Sequence, residues 1–200
     1  MLKFWNVALV GLLSITTWNV EGIAAESINA IKAAELACHR IERLVLQKKI
    51  DKSYLSKFQK MTVVPVSNDS SGAAFAATAY QTAPTVEGAL PLSLTILLDP
   101  SGMVLKYTVN EGGTNGADVT WSDKDPVTLT EAGLHYLIDH HNSAEELKLF
   151  ASNFQSLVLE QVSTNGNTVA ELKVSNDINS SKLVLTLDLS GKVLNKSVIP

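Results

Sequence analysis

The chain has 200 residues and a formal net charge of −4, and no basic cluster is present, which excludes nucleic acid and anionic lipid surfaces as expected partners. It has one cysteine, Cys38, so an intrachain disulfide framework is excluded. Hydrophobic residues make up 46% of the sequence, enough for one compact domain or two small ones.

Residues 1–25 have the layout of a secretory signal peptide. Lys3 is followed by an apolar run over residues 7–15, and small residues precede a predicted cleavage after Ala25. The run is shorter than the ~18 residues that a spanning helix needs, so an uncleaved anchor is the weaker alternative. We therefore expect a secreted or periplasmic protein without an integral membrane segment after cleavage.

The first half, residues 26–110, begins with helical spacing. Apolar residues recur at three and four positions over 24–47, and Cys38 lies on this apolar face. Asp51 is a candidate N-cap for a short second helix. The period then changes to two, which predicts four strands: MTVVPV, GAAFAATAY, LSLTILL and MVLKYTV.

Residues 111–126 are polar and glycine-rich, and we predict a linker loop there. The second half, 127–200, opens with two candidate capping boxes, Thr128-x-x-Glu131 and Ser143-x-x-Glu146, each preceding a helix. Four further predicted strands follow: LVLEQV, TVAELKV, KLVLTLDL and KVLNKSV.

The two halves align at an offset of 96 residues. Residues 35–67 match 131–163 at eight of 33 positions without a gap, and the matches include Glu35 with Glu131 and His39 with His135. This predicts an α+β fold of two tandem repeats, each a helix-turn-helix followed by about four antiparallel strands. One repeat is near the lower size limit for an independent core, so we expect the pair to share one.

Asp-x-Ser-Gly occurs between the last two strands of each half. Asp99 and Asp188 can accept backbone hydrogen bonds, while Gly102 and Gly191 suit the final turn position. We assign these four residues a structural role in hairpin turns.

The TLDLSGKVL stretch resembles the C-terminal hairpin of PepSY-like domains, which are small secreted α+β modules. The tandem plan of helices and strands also resembles the β-lactamase inhibitory protein, which grips an enzyme with a concave sheet. Both resemblances imply binding or inhibition rather than catalysis, and no functional residue is transferred from either.

The candidate chemistry is concentrated in residues 135–141. His135 and Asp139 are four residues apart and share a helix face, which is a possible start for a metal site, with His140 and His141 following. A solvated polar face is the alternative for this segment. Glu35/His39 and Glu131/His135 have the same spacing, which predicts pairing along each helix surface.

Other catalytic signatures are missing from the sequence. It contains no Gly-x-Ser-x-Gly elbow, phosphate-binding loop or calcium loop, and no cofactor is implied. We therefore expect a non-enzymatic module that binds a protein or peptide, with Trp121, Tyr80 and Phe75 as candidate contact residues. A carrier of a small apolar ligand and a metal-dependent hydrolase centred on His135–His141 are the alternatives. The oligomeric state is not predicted.

Overall fold

The computed structural model describes residues 27–67, 71–121, 124–164 and 166–200. The expected signal peptide over 1–25, with its cleavage at Ala25, lies outside the described residues.

Four α-helices occur in the described chain: α1 (Ala30–Leu46), α2 (Ser53–Ser56), α3 (Pro126–His140) and α4 (Glu145–Ser152). A short 3-10 turn over His141–Ser143 connects α3 to α4. None of the described helices has both the length and the apolar character needed to cross a membrane.

Eight strands form one antiparallel sheet. In chain order they are β1 (Phe58–Pro65), β2 (Phe75–Gln81), β3 (Ser93–Leu98), β4 (Val104–Asn110), β5 (Phe154–Thr164), β6 (Asn167–Asn176), β7 (Lys182–Leu187) and β8 (Val193–Ile199). Their spatial order is β4-β3-β2-β1-β5-β6-β7-β8. The predicted α+β class with antiparallel strands is therefore confirmed, and the strands of both halves belong to a single sheet.

The two central strands join the halves over a short distance. β1 and β5 pair at three positions: Lys60 with Val158, Met61 with Leu157, and Thr62 with Ser156. Pro65 terminates β1. This fits the missing N–H of proline, because the pairing with β5 ends at Thr62 and Pro65 is paired with β2 alone.

The long helices α1 and α3 pack against each other and against one face of the sheet. Their apolar side chains form one continuous core with the strand residues that point toward them. Cys38 is completely buried in this core, and burial raises the pKa of its thiol well above the usual value. A buried, protonated thiol is a poor nucleophile and a poor partner for an intermolecular disulfide.

The helix starts differ from the predicted capping boxes. Helix α3 begins at Pro126, and its N-cap is Asp125, whose carboxylate accepts from the Thr128 backbone N–H at 3.0 Å. Proline suits the first helical position because its missing N–H needs no partner there, so the helix starts two residues before Thr128. Helix α4 follows Ala144 without a side-chain cap, and the Ser143 hydroxyl donates to the His140 carbonyl instead.

The two Asp-x-Ser-Gly turns have matching geometry. The Asp99 carboxylate accepts from the Ser101 N–H, the Ser101 hydroxyl and the Met103 N–H at 2.6–2.9 Å. Asp188 accepts the equivalent three bonds from Ser190 and Lys192 at 2.6–3.0 Å. The glycines that follow have φ of +88° and +92° respectively, a conformation that favours glycine.

Candidate functional site

The sheet face opposite the helices carries no covering element among the described residues. Burial alternates along the strands: in β2, Ala77 and Ala79 are 1–2% exposed, whereas Thr78 and Tyr80 are only half-buried. Since successive side chains of a strand point to opposite faces, Thr78 and Tyr80 belong to the face away from the core. We call this surface the open face.

A row of hydroxyl side chains crosses the open face. Strand pairing places six residues side by side on neighbouring strands from β4 to β6: Thr108, Thr95, Thr78, Thr62, Ser156 and Ser175. The Thr78 and Thr95 hydroxyl oxygens are 3.0 Å apart and hydrogen bonded. This hydroxyl row continues across the β1–β5 junction, so both halves contribute to it. The sequence could not predict it, because it depends on the register of five strand pairs.

The three candidate binding residues do not come together. Tyr80 lies on the open face, where the Lys60 ammonium is 5.8 Å from its ring centroid. Phe75 pairs with buried Leu98 and packs against the core on the helix side. Trp121 also packs against the core, beside Pro126 at the start of α3. Only Tyr80 is therefore placed to contact a partner on the open face.

The second polar arrangement is the seam between α1 and α3. The His39 ring Nε2 lies 3.1 Å from the Glu131 carboxylate, and the His135 ring Nδ1 lies 3.2 Å from the Glu35 carboxylate. Each helix thus pairs its glutamate with the histidine of the other helix. The expectation that each glutamate pairs with the histidine four residues later on its own helix is wrong. The sequence could not show this, because it depends on how the two helices pack.

The two seam glutamates have opposite electrostatic environments. Burial raises the pKa of Glu35, but the hydrogen bonds from Lys32 and His135 outweigh it and hold the pKa below its ordinary value. Burial also raises the pKa of Glu131; the His39 charge opposes this, while Glu42 adds to it, and the pKa stays above its ordinary value. Glu35 is therefore stabilised as a carboxylate, whereas burial, together with the nearby Glu42 carboxylate, disfavours the ionised form of Glu131.

The predicted metal pair, His135 and Asp139, lies at one end of this seam. The His135 Nε2 atom is 3.2 Å from Asp139, while its Nδ1 atom faces Glu35. Glu35 and Asp139 contact opposite nitrogens of the His135 ring. An ion bound to one of these nitrogens therefore cannot be bound by both carboxylates at once. His140 stacks on Tyr136, and the His141 ring lies 2.6 Å from the Ile138 carbonyl.

A different group of metal-ligating side chains converges at the other end of the seam. One ligand atom each from His39, Glu42 and Glu131 lie within 4.8 Å of one another. His39 and Glu42 are three residues apart on α1, so they share a face of that helix. Sequence reasoning missed this set because Glu131 is 89 residues from Glu42 and reaches it only through helix packing.

No observation on the described residues favours a carrier of a small apolar ligand. The side chains between helices and sheet, among them Ile41, Leu134 and Ile96, are 0% exposed. The depressions found among the described residues are open to solvent and have polar and apolar walls.

Comparison with known proteins yields one distant structural likeness. No protein-family model matches the chain. No curated protein matches it either. The structure of a "putative lipoprotein" from Clostridium difficile 630 is 13% identical, with a TM-score of 0.30, and the match covers 79% of this chain and 92% of that chain. A TM-score of 0.30 does not establish a shared fold.

Proposed function

We propose that this chain is a secreted or periplasmic, non-enzymatic binding module that receives a protein or peptide partner on its open face. The observation that carries the proposal is the eight-stranded sheet covered by helices on one side only. One face of an antiparallel sheet is enough to cover a core, and the other face can remain in contact with solvent. That second face is available to contact a partner.

The dimensions of the open face suit a macromolecule rather than a small ligand. Eight strands spaced about 4.8 Å apart span roughly 34 Å, and the shortest strands, β3 and β7 with six residues each, are roughly 20 Å long. The resulting area of roughly 700 Å² is close to the ~800 Å² that each partner contributes to a standard protein–protein interface.

The chemistry of the open face also suits a protein partner. The hydroxyl row offers donors and acceptors without charge, and Tyr80 supplies an aromatic ring beside Lys60. Glu160 and Lys173 form an ion pair on the same face in the second half. Such a surface can satisfy the backbone and side-chain polar groups of a partner while an aromatic residue supplies apolar contact area.

We also propose that the two halves arose by duplication. At the 96-residue offset, the N-cap Asn29 corresponds to the N-cap Asp125. Met61 corresponds to Leu157, and these two residues pair with each other where β1 meets β5. The same offset relates Glu35 to Glu131 and His39 to His135. The contact between Glu35 and His135 is therefore equivalent to the contact between Glu131 and His39. Reciprocal contacts of this kind are typical of a two-fold interface between copies.

The turn glycines support the duplication independently. A Cβ atom on Gly102 would meet the Leu36 and Ile28 side chains, and one on Gly191 would meet Ala132 and Lys124. Leu36 and Ala132 are 96 residues apart, as are Ile28 and Lys124. The tandem plan of helices and strands resembles that of PepSY-like domains and of the β-lactamase inhibitory protein, and both resemblances imply binding.

Affinity capture with the mature chain as bait tests the binding proposal. Thr78→Arg and Thr62→Arg place a long charged side chain in the hydroxyl row, and Ser152→Arg places the same side chain on an exposed position of α4. We expect wild type and S152R to retain the same native-envelope protein or peptide, and T78R and T62R to lose it. Circular dichroism verifies that all variants are folded.

Equal capture by all four proteins would contradict the role of the open face. Absence of any retained partner, together with turnover of a substrate by the purified chain, would contradict a non-enzymatic binding function altogether.

A further inference from the structure

We propose that His39, Glu42 and Glu131 form a binding site for zinc or a similar first-row divalent cation that bridges α1 and α3. This site is separate from the open face and does not depend on the proposed function. It differs from the pair His135/Asp139 that the sequence suggested.

The geometry of the three side chains needs little adjustment. The His39 Nε2 and Glu131 Oε1 atoms are already 3.1 Å apart, and all three ligand atoms lie within 4.8 Å of one another. Ligand atoms about 2.1 Å from a tetrahedral zinc ion are about 3.4 Å apart. Small rotations of the Glu42 side chain are therefore enough to complete three ligand positions, leaving a fourth for water.

The ligand types select the class of metal. One imidazole and two carboxylates suit Zn²⁺ and neighbouring divalent transition metals, whereas Ca²⁺ and Mg²⁺ favour ligand sets made of oxygen alone. Cys38 lies close in sequence but is fully buried in the core, away from the exposed His39. A dication would also offset the negative charge that Glu42 and Glu131 bring together.

A neighbouring side chain helps to hold one ligand in place. The Thr128 hydroxyl of α3 donates to the Glu42 carboxylate at 3.2 Å, across the seam. The Asp125 carboxylate is a second acceptor 3.1 Å from the same hydroxyl. Hydrogen bonds to ligating carboxylates orient them in metal sites, so Glu42 is held toward α3.

The other half of the seam provides a matched internal control. It has the equivalent crossing, His135 with Glu35, but Ile138 stands at the position that corresponds to Glu42. Its additional carboxylate, Asp139, contacts the other nitrogen of the ring. Both ends of the seam therefore have a His–Glu contact between the two helices, but only the His39 end has a third ligand that converges with it among the described residues.

Isothermal titration of the chelator-treated chain with ZnCl₂ at neutral pH tests the site. We expect equimolar binding by wild type and His135→Ala, and affinity lowered by at least about tenfold in His39→Ala and Glu42→Gln. A further variant, His140→Ala with His141→Ala, removes the two adjacent histidines where α3 ends and the 3-10 turn begins, and it is expected to bind as wild type does.

Thermal unfolding gives a second readout. A cation that binds only the folded chain raises its Tm, so zinc is expected to raise the Tm of wild type and H135A but not of H39A. Co²⁺ in place of Zn²⁺ is expected to give the visible absorption of a tetrahedral site, lost in E42Q. Wild type that binds no zinc, or binding that survives in H39A and E42Q, would overturn the proposal, as would binding lost in H135A or in the double variant.

Discussion

The Glu35 carboxylate shows how one charged residue is accommodated at a helix seam. Its side chain is 5% exposed, yet it contacts Lys32 on its own helix and His135 on the other. Hydrogen bonds with the Lys32 ammonium and the His135 ring offset the loss of water around the carboxylate. Glu131, at the equivalent position, has His39 as a partner but also a neighbouring carboxylate, Glu42, so the same residue type is less well compensated.

Glu35→Gln is expected to lower the free energy of unfolding by about 1–3 kcal/mol at pH 7, because a buried charge-assisted hydrogen bond is lost. The pKa of Glu35 is lower in the folded chain than in the unfolded one, so this stabilisation is present above the unfolded value of 4.5. It is expected to disappear as the pH falls through the folded value.

Urea denaturation of wild type and E35Q between neutral and acidic pH measures this difference. Glu87→Gln, at an exposed loop position, serves as the control and is expected to leave stability unchanged. A difference between wild type and E35Q that stays constant with pH would show that ionised Glu35 is not the stabilising form.

Strands and turns were predictable from local patterns, whereas caps and cross-helix contacts were not. Period-two alternation marked all eight strands to within a few residues, because each strand has one face on the core. Asp99 and Asp188 lie in turns whose bonds are all local. The capping boxes failed because Asp125-Pro126 provides a competing start, and a sequence pattern does not rank the two.

Asp125→Ala and Asn29→Ala test the observed caps. Each is expected to cost about 1 kcal/mol of stability, because a side-chain oxygen that accepts from a first-turn N–H is lost. Ser143→Ala is expected to cost less, because Ser143 does not cap α4. Chemical denaturation of the three variants measures this order, and an S143A cost equal to that of D125A would contradict the assignment.

At the scale of the whole molecule, the described residues form one core rather than two. Buried residues of α1, α3 and all strands except the two edge strands belong to the same cluster, and both helices contact β1. The 96-residue offset in the sequence predicts a tandem plan, and this plan stays a prediction. The merging of both halves into one sheet could not be predicted, because Met61 and Leu157 are far apart in the chain and ordinary in type.

Cleavage at a protease site inserted between Trp121 and Lys124 tests whether each half depends on the other for a stable core. We expect the two fragments to stay associated after cleavage and to lose their cooperative unfolding when separated, since each then exposes its seam and its central strand. Size-exclusion chromatography and circular dichroism of the separated and remixed fragments measure this. Two fragments that each unfold cooperatively alone would show independent cores.

The short β1–β5 junction has a consequence for the history of the chain. Under the proposed duplication, Met61 and Leu157 are the same ancestral residue, and here they face each other across antiparallel strands. An unfused ancestor using this edge would have paired with itself, as a homodimer whose folding depended on concentration. Under the same proposal, fusion made that encounter intramolecular and freed the two copies to diverge, so that Glu42 could appear in one copy and Ile138 in the other.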